Sequence, residues 1–166
     1  AAKNEMLLFI DADCRPETGK WLGMMVSHFD DKTDFVLGYG GYFRKKGLLN
    51  KYIRCDSMFI AMQYLGMAIR GIPYMGVGRN LAYRRSVFFK NKGFSTHSNL
   101  ASGDDDLFVN SIATSENVSV EFGKEAHTRS IPAAKITELF KQKKRHLTTA
   151  VHYKLRDKVI LTVEPA

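Results

Sequence analysis

Two aspartates one residue apart, Asp11 and Asp13, follow an apolar run from Met6 to Ile10 and precede Pro16. Carboxylates at i and i+2, where a chain leaves a sheet, can turn their oxygens toward one hard divalent cation. Such a cation keeps waters and takes phosphate oxygens as further ligands, which suits Mg2+ or Mn2+. An isolated Asp-x-Asp can equally serve as a solubilising turn after a core strand. A second acidic set, Asp104, Asp105 and Asp106, precedes apolar Leu107, Phe108, Val109 and Ile112. Acidic residues suit a helix N-terminus, but three in succession exceed what a cap needs, and their mutual repulsion favours a working base among them. Near the end stand Gln142, Arg145 and His146. Arg145, permanently charged and forked, suits a diphosphate.

These residues need elements to hold them. Met6 to Ile10 reads as a buried strand, and Pro16 suits the first turn of a helix carrying Trp21, Leu22, Met24, Met25, Val26 and Phe29 at helical spacing up to Asp30. Phe35 to Phe43 reads as a strand in which Gly38, Gly40 and Gly41 mark a bulge or a close backbone approach. Asn50 can cap a helix running to about Arg70, whose second half is apolar all round and must be covered. Ile72-Pro73 breaks it, and Met75 to Arg85 gives a turn, a strand and a basic edge. Gly76-Val77-Gly78 is not a dinucleotide fingerprint, because no third glycine and helix follow. Residues 91–103, rich in Gly, Ser, Asn and Thr, read as a mobile loop that delivers the acidic cluster to a helix ending near Ser115. Val118 to Phe122 alternates as a strand, and Pro132 opens the helix that carries Gln142, Arg145 and His146.

At 166 residues, 45% apolar and 25% charged, the chain fits one domain with a real core. No run reaches the roughly 18 apolar residues of a membrane span. Cys14 and Cys55 have neither metal-ligand spacing nor a disulfide framework, so a reducing compartment is expected. The net charge of +8 points to an anionic partner, and from Lys141 to Lys158 seven Lys or Arg stand against Asp157 alone. No zinc spacing, Ser-His-Asp set, Cys-His set, repeat or heptad is present.

The Asp-x-Asp behind a strand, the later Ser102-Gly103-Asp104-Asp105-Asp106-Leu107-Phe108 and the Gln142-Lys143-Lys144-Arg145-His146 stretch occur in that order. Together they resemble the family 2 glycosyltransferases of the GT-A fold. More narrowly, the chain is similar to the membrane-associated branch with the cellulose, hyaluronan and ceramide glucosyl synthases, from about Lys3 to about Tyr153. FIDADCRP is the most specific piece. The resemblance implies an α/β fold, a GT-A mixed sheet flanked by helices, here as an N-terminally truncated later part of the catalytic domain. Residues 1–166 form a single domain, with about 141–166 a basic segment leading toward the membrane.

It further implies that Asp11 and Asp13 hold Mg or Mn, that Asp104 or Asp105 is the base, and that the strand after Gly78 floors the sugar site. Gly78 would admit a sugar ring, Asn80 would hydrogen-bond a sugar hydroxyl, and Arg79 would meet phosphate or serve structurally. His127 is a candidate third metal ligand, or else a structural hydrogen-bonder. Gln142, Arg145 and His146 belong to the substrate site. His146 stands where the family has Trp, which weakens any implication of chain-extending synthesis, and Gly103 stands where Glu is frequent, which leaves the register between Asp104 and Asp105 open. The apolar half of the long helix would face the protein's own core or a lipid or glycan groove. The implied partners are a nucleotide-sugar donor, a glycan or lipid acceptor and, through flanking segments, a membrane surface. The implied location is the cytoplasmic face of the inner membrane, with this fragment itself soluble.

Two other classes compete. A magnesium-dependent phosphohydrolase of the haloacid dehalogenase type also places Asp-x-Asp after a strand, but expects Thr or Val where Arg15 stands. A non-catalytic basic module would bind a membrane surface or nucleic acid, yet aromatics are not interleaved with Lys and Arg as stacking on nucleic acid requires, so no nucleic-acid partner is expected.

Overall fold

The apolar run behind the first aspartates forms β1 (Met6–Phe9), an edge strand of the larger of two sheets. The computed structural model describes residues 2–91, 104–150 and 153–158, with the side chains of residues 104 and 146–150 outside the described set. Its fold is mixed α/β. β5 (Leu81–Arg84) pairs antiparallel with both β1 and β3 (Phe35–Gly38), and β6 (Val118–Glu121) runs parallel to β3. With a partner on one side only among the described residues, β1 leaves Leu7, Leu8 and Phe9 half-buried and Met6 and Ile10 exposed, which corrects the expectation of a buried strand. The strands β3 and β5 supply the buried centre instead.

Alternation along these strands divides the core between two faces. Phe35, Leu37, Leu81 and Tyr83 face the main cluster, whereas Val36 and Ala82 face Met25 on α1 (Trp21–Ser27). The main cluster is closed by α2 (Leu48–Ile69), through Ala61, Tyr64, Leu65 and Ala68, and by α4 (Asp104–Ile112), through Leu107, Phe108 and Val109. Phe108 meets Phe35, Tyr83 and Phe88 with ring centroids 5.5, 5.0 and 5.6 Å apart. Phe88 comes from α3 (Arg85–Lys90), a helix with no periodic signal in the sequence. Its first turn is held by Glu5, whose carboxylate accepts the Ser86 amide at 3.1 Å.

The expected strand from Phe35 to Phe43 breaks at Tyr39. Beyond it, β4 (Gly40–Tyr42) joins a second sheet of order β2-β7-β4, with β2 (Arg15–Pro16) antiparallel and β4 parallel to β7 (Thr128–Ser130). Pro16 therefore lies in an edge strand, where its missing donor is harmless, and α1 begins only at Trp21. Asn50 sits inside the first turn of α2 rather than ahead of it, and clamps the preceding loop by accepting from the Lys45 amide and donating to the Phe43 carbonyl. The far half of α2 buries one face, while Phe59, Met62 and Ile69 on the other are exposed, 57, 62 and 64%. Among the described residues no helix is long and apolar enough to cross a membrane.

The C-terminal helix, α5 (Ile136–Ala150), starts later than Pro132 because Glu138 accepts the Ala134 and Lys135 amides and sets its first turn. Leu139 on α5 packs with Tyr42 and Ile53. Residues 155–158 add a helical turn in which Asp157, 1% exposed, accepts from Asn110 on α4. The loop expected over 91–103 lies outside the described residues beyond Asn91.

Candidate functional site

The chain leaves the end of β1 in a tight turn, closed by the Cys14 amide donating to the Asp11 carbonyl at 2.9 Å. The turn throws Asp11 and Asp13 outward and tucks Cys14 inward. Ligand atoms of these three residues all lie within 4.8 Å of one another. Pairing of β2 with β7 fixes the far side of the turn, and the Ser130 hydroxyl donates to Asp13 Oδ2 at 2.8 Å. The Cys14 thiol approaches Asp13 Oδ1 at 3.8 Å. Burial pushes the pKa of this thiol up, so at neutral pH it is a weak donor that steadies Asp13. The donor set thus fits a hard cation held by two carboxylates and water, and does not resemble a thiolate site.

The second acidic set reaches the same place through a glycine. A Cβ built on Gly78 would collide with the Asp105 carboxylate and lie 3.6 Å from Asp11 Oδ1. The missing side chain at residue 78 lets one carboxylate from a helix start and one from a strand end face the same small space. Like charges so placed repel. Asp106 is buried, at 8% exposure. Asp104 begins α4, but its side chain lies outside the described residues.

Other expected site residues are placed differently. Asn80 is fully buried. Its amide donates to the Tyr39 and Ala126 carbonyls at 3.0 and 2.9 Å, and its oxygen accepts from the Trp21 indole at 2.9 Å. A role on a sugar hydroxyl is therefore corrected to an internal pin joining the two sheets. The room beside Gly76 and Gly78 is likewise bordered by the protein: a Cβ added at Gly76 would stand 3.0 to 3.2 Å from Val109, Leu37 and Leu81, and one at Gly78 would meet Asp105. Gly38 and Gly40 admit the side chains of Asn80 and Arg79, so the strand glycines are close approaches within the chain. His127 stands outside the Asp11, Asp13 and Cys14 group. Its Nε2 lies 3.1 Å from the Phe122 carbonyl and its ring packs edge-on to Tyr39, which is the structural hydrogen-bonding alternative.

Gln142 donates to the Tyr42 hydroxyl at 3.1 Å and thereby ties α5 to the smaller sheet. Arg79 stacks over the same Tyr42 ring, 4.7 Å from its centroid. Arg145 is exposed on α5, and the side chain of His146 lies outside the described residues.

No family model matches the chain, and no curated protein does. The site therefore rests on its own geometry. Two of its members escaped the sequence reading. Cys14 adjoins Asp13 in the sequence, but its inward turn was not visible there. Ser130 is 117 positions from the carboxylate it holds, and only the pairing of β2 with β7 brings it there.

Proposed function

We propose that the chain carries the cation site and the base of an inverting glycosyl transfer from a nucleotide diphosphate sugar, such as a UDP-sugar, to a hydroxyl of a glycan or lipid acceptor. One observation carries this reading: Asp11, at the end of β1, and Asp105, at the start of α4, border the same space over Gly78, with Asp13 fixed beside them by Ser130. Asp11 and Asp13 hold Mg2+ or Mn2+. The bound ion supplies charge neutralisation for a departing nucleotide diphosphate.

Asp105 accepts the proton of the acceptor hydroxyl as that oxygen attacks the anomeric carbon. The new glycosidic bond forms on the face opposite the breaking bond to phosphate, so the configuration inverts without a covalent enzyme intermediate. Asp104 is the alternative base, one residue earlier. The position of its neighbour against Gly78 favours Asp105. Arg145 adds a permanent charge for the diphosphate. A GT-A arrangement, and a membrane-borne acceptor at the cytoplasmic face, belong to the same proposal.

Calorimetric titration of UDP with and without Mn2+ tests it, together with a transfer assay on the intact protein. Binding is expected to require Mn2+ and to weaken at least about 100-fold in Asp13→Ala, while Asp105→Asn keeps binding and loses about 10²- to 10⁴-fold in transfer. UDP binding that ignores both EDTA and Asp13→Ala would sink the cation site. Loss of transfer in Asp104→Asn alone would move the base by one residue.

A further inference from the structure

The smaller sheet carries a charge arrangement that the proposed transfer does not use. Arg15 on β2 and Arg129 on β7 are directly opposed in an antiparallel pair. Like charges in that position are destabilising. Both line a cleft of about 370 Å³ with Arg44, Arg54 and the walls Tyr42 and Phe43. Glu17, the one acidic residue of the lining, is committed to Arg129 at 2.6 Å. Among the described residues Arg15, Arg44 and Arg54 make no ion pair.

The cleft is also built to hold its cations. A Cβ on Gly41 would meet Arg129 Nη1 at 2.6 Å, so the glycine makes room for that guanidinium, which also lies 5.7 Å from the Tyr39 ring centroid. Tyr42 is fixed by the Gln142 bond to its hydroxyl, and the Arg79 guanidinium stacks on its ring with Nη1 buried and without a hydrogen-bond partner among the described residues. Four guanidiniums around one concavity, against a single carboxylate already engaged, leave a positive surplus that draws an anion. Arginine forks match the oxygens of a phosphate group, and the volume falls in the range of about 300–1,000 Å³ usual for small-ligand sites.

We propose that this cleft binds a phosphate monoester directly through its arginines, without a metal ion and separately from the acidic turn. The inference stands whether or not the chain transfers a sugar. The phosphate can come from a soluble phosphorylated molecule or from a lipid headgroup, and the chemistry is shared.

The test uses two probes in EDTA: glycerol 3-phosphate followed by calorimetry, and phosphatidylcholine vesicles with and without phosphatidic acid followed by cosedimentation. Binding of at least one probe is expected, weakened at least tenfold in Arg44→Gln/Arg54→Gln, tightened in Glu17→Gln, and unchanged in Asp13→Ala. Lys141→Gln/Lys144→Gln, which removes the same charge from exposed positions on α5, should leave binding unchanged. Binding of glycerol 3-phosphate assigns the site to a soluble ligand, and binding of acidic vesicles alone, with the same arginine dependence, assigns it to a lipid. Absence of binding to both probes overturns the proposal. So does an equal loss in the α5 lysine variant, which would reduce the effect to net charge, or a loss in Asp13→Ala, which would merge the cleft with the acidic turn.

Discussion

The two sheets of this protein are held by different physics. The larger one is secured by apolar packing on both faces, with Phe35, Tyr83, Phe88 and Phe108 at one centre and Met25, Val36 and Ala82 at the other. The smaller one has little apolar surface of its own and is hung on side chains that bond to backbone. Asn80 holds the Tyr39 and Ala126 carbonyls, Thr128 donates to the Arg79 carbonyl at 2.6 Å, and Asn50 to Phe43. Both candidate sites lie where the chain crosses into the polar-pinned sheet. Acidic residues sit at the exit from the first sheet and arginines within the second. Packing thus supplies a rigid platform, and polar pins leave the adjoining backbone free to carry charge.

Truncating each sheet at its own anchor tests this division. Phe108→Ala should cost about 3–5 kcal/mol, as loss of a buried aromatic does. Asn80→Ala should cost about 2–4 kcal/mol, because it leaves the buried Ala126 carbonyl and the Trp21 indole without their partner, while the Tyr39 carbonyl keeps the Thr128 amide. Urea unfolding followed by circular dichroism measures both. The comparison breaks if Asn80→Ala costs less than about 1 kcal/mol, since the smaller sheet would then stand without its pin.

Two glycines two residues apart separate packing from chemistry more finely. At Gly76 an added methyl would press on Val109, Leu37 and Leu81 at 3.0 to 3.2 Å, all within the apolar core. Gly76→Ala should cost about 1–3 kcal/mol by overpacking. At Gly78 the obstacle is the end of the Asp105 side chain, which can swing away. Gly78→Ala should therefore change stability by about 0.5 kcal/mol or less while displacing Asp105 and lowering transfer at least tenfold. Equal loss of stability in the two variants would show that residue 78 serves packing alone.

The same division explains what the sequence revealed. The apolar runs of β1, β3 and α2, the alternation of β6 and the Asp-x-Asp behind β1 made these elements and the acidic turn visible, because apolar pattern and strand-end carboxylates are local signals. The break at Tyr39, β2 and β7 were invisible, because strands of two or three residues pinned by Asn80 and Thr128 carry no period. Asn80 and His127 were drawn toward the site by their chemical type. Their bonds to carbonyls distant in sequence could be found only from the fold. α3 was missed for a related reason, since its support comes from Glu5 across the sheet edge.

The smallest effect concerns the loop between α1 and β3, which is pinned by a carboxylate in place of an amide. Asp30 accepts the Lys32 and Thr33 amides at 2.9 and 2.8 Å, and the Thr33 side-chain and backbone bonds hold its carboxyl below the ordinary carboxylate range. Arg84 of β5 donates to the Asp30 and Thr33 carbonyls, so the turn also fixes the end of the larger sheet. A carboxyl whose pKa is lower folded than unfolded adds stability that is complete above the unfolded value and disappears as pH falls through the folded one. Asn in its place still offers an oxygen to the two amides but has no charge to lose. The gap in urea midpoint between the protein and Asp30→Asn should accordingly be small at pH 7 and close as pH falls below the ordinary carboxylate value of about 4. A gap that stays constant as pH falls would mean that hydrogen-bond geometry alone holds the turn, and that charge plays no part in pinning the larger sheet.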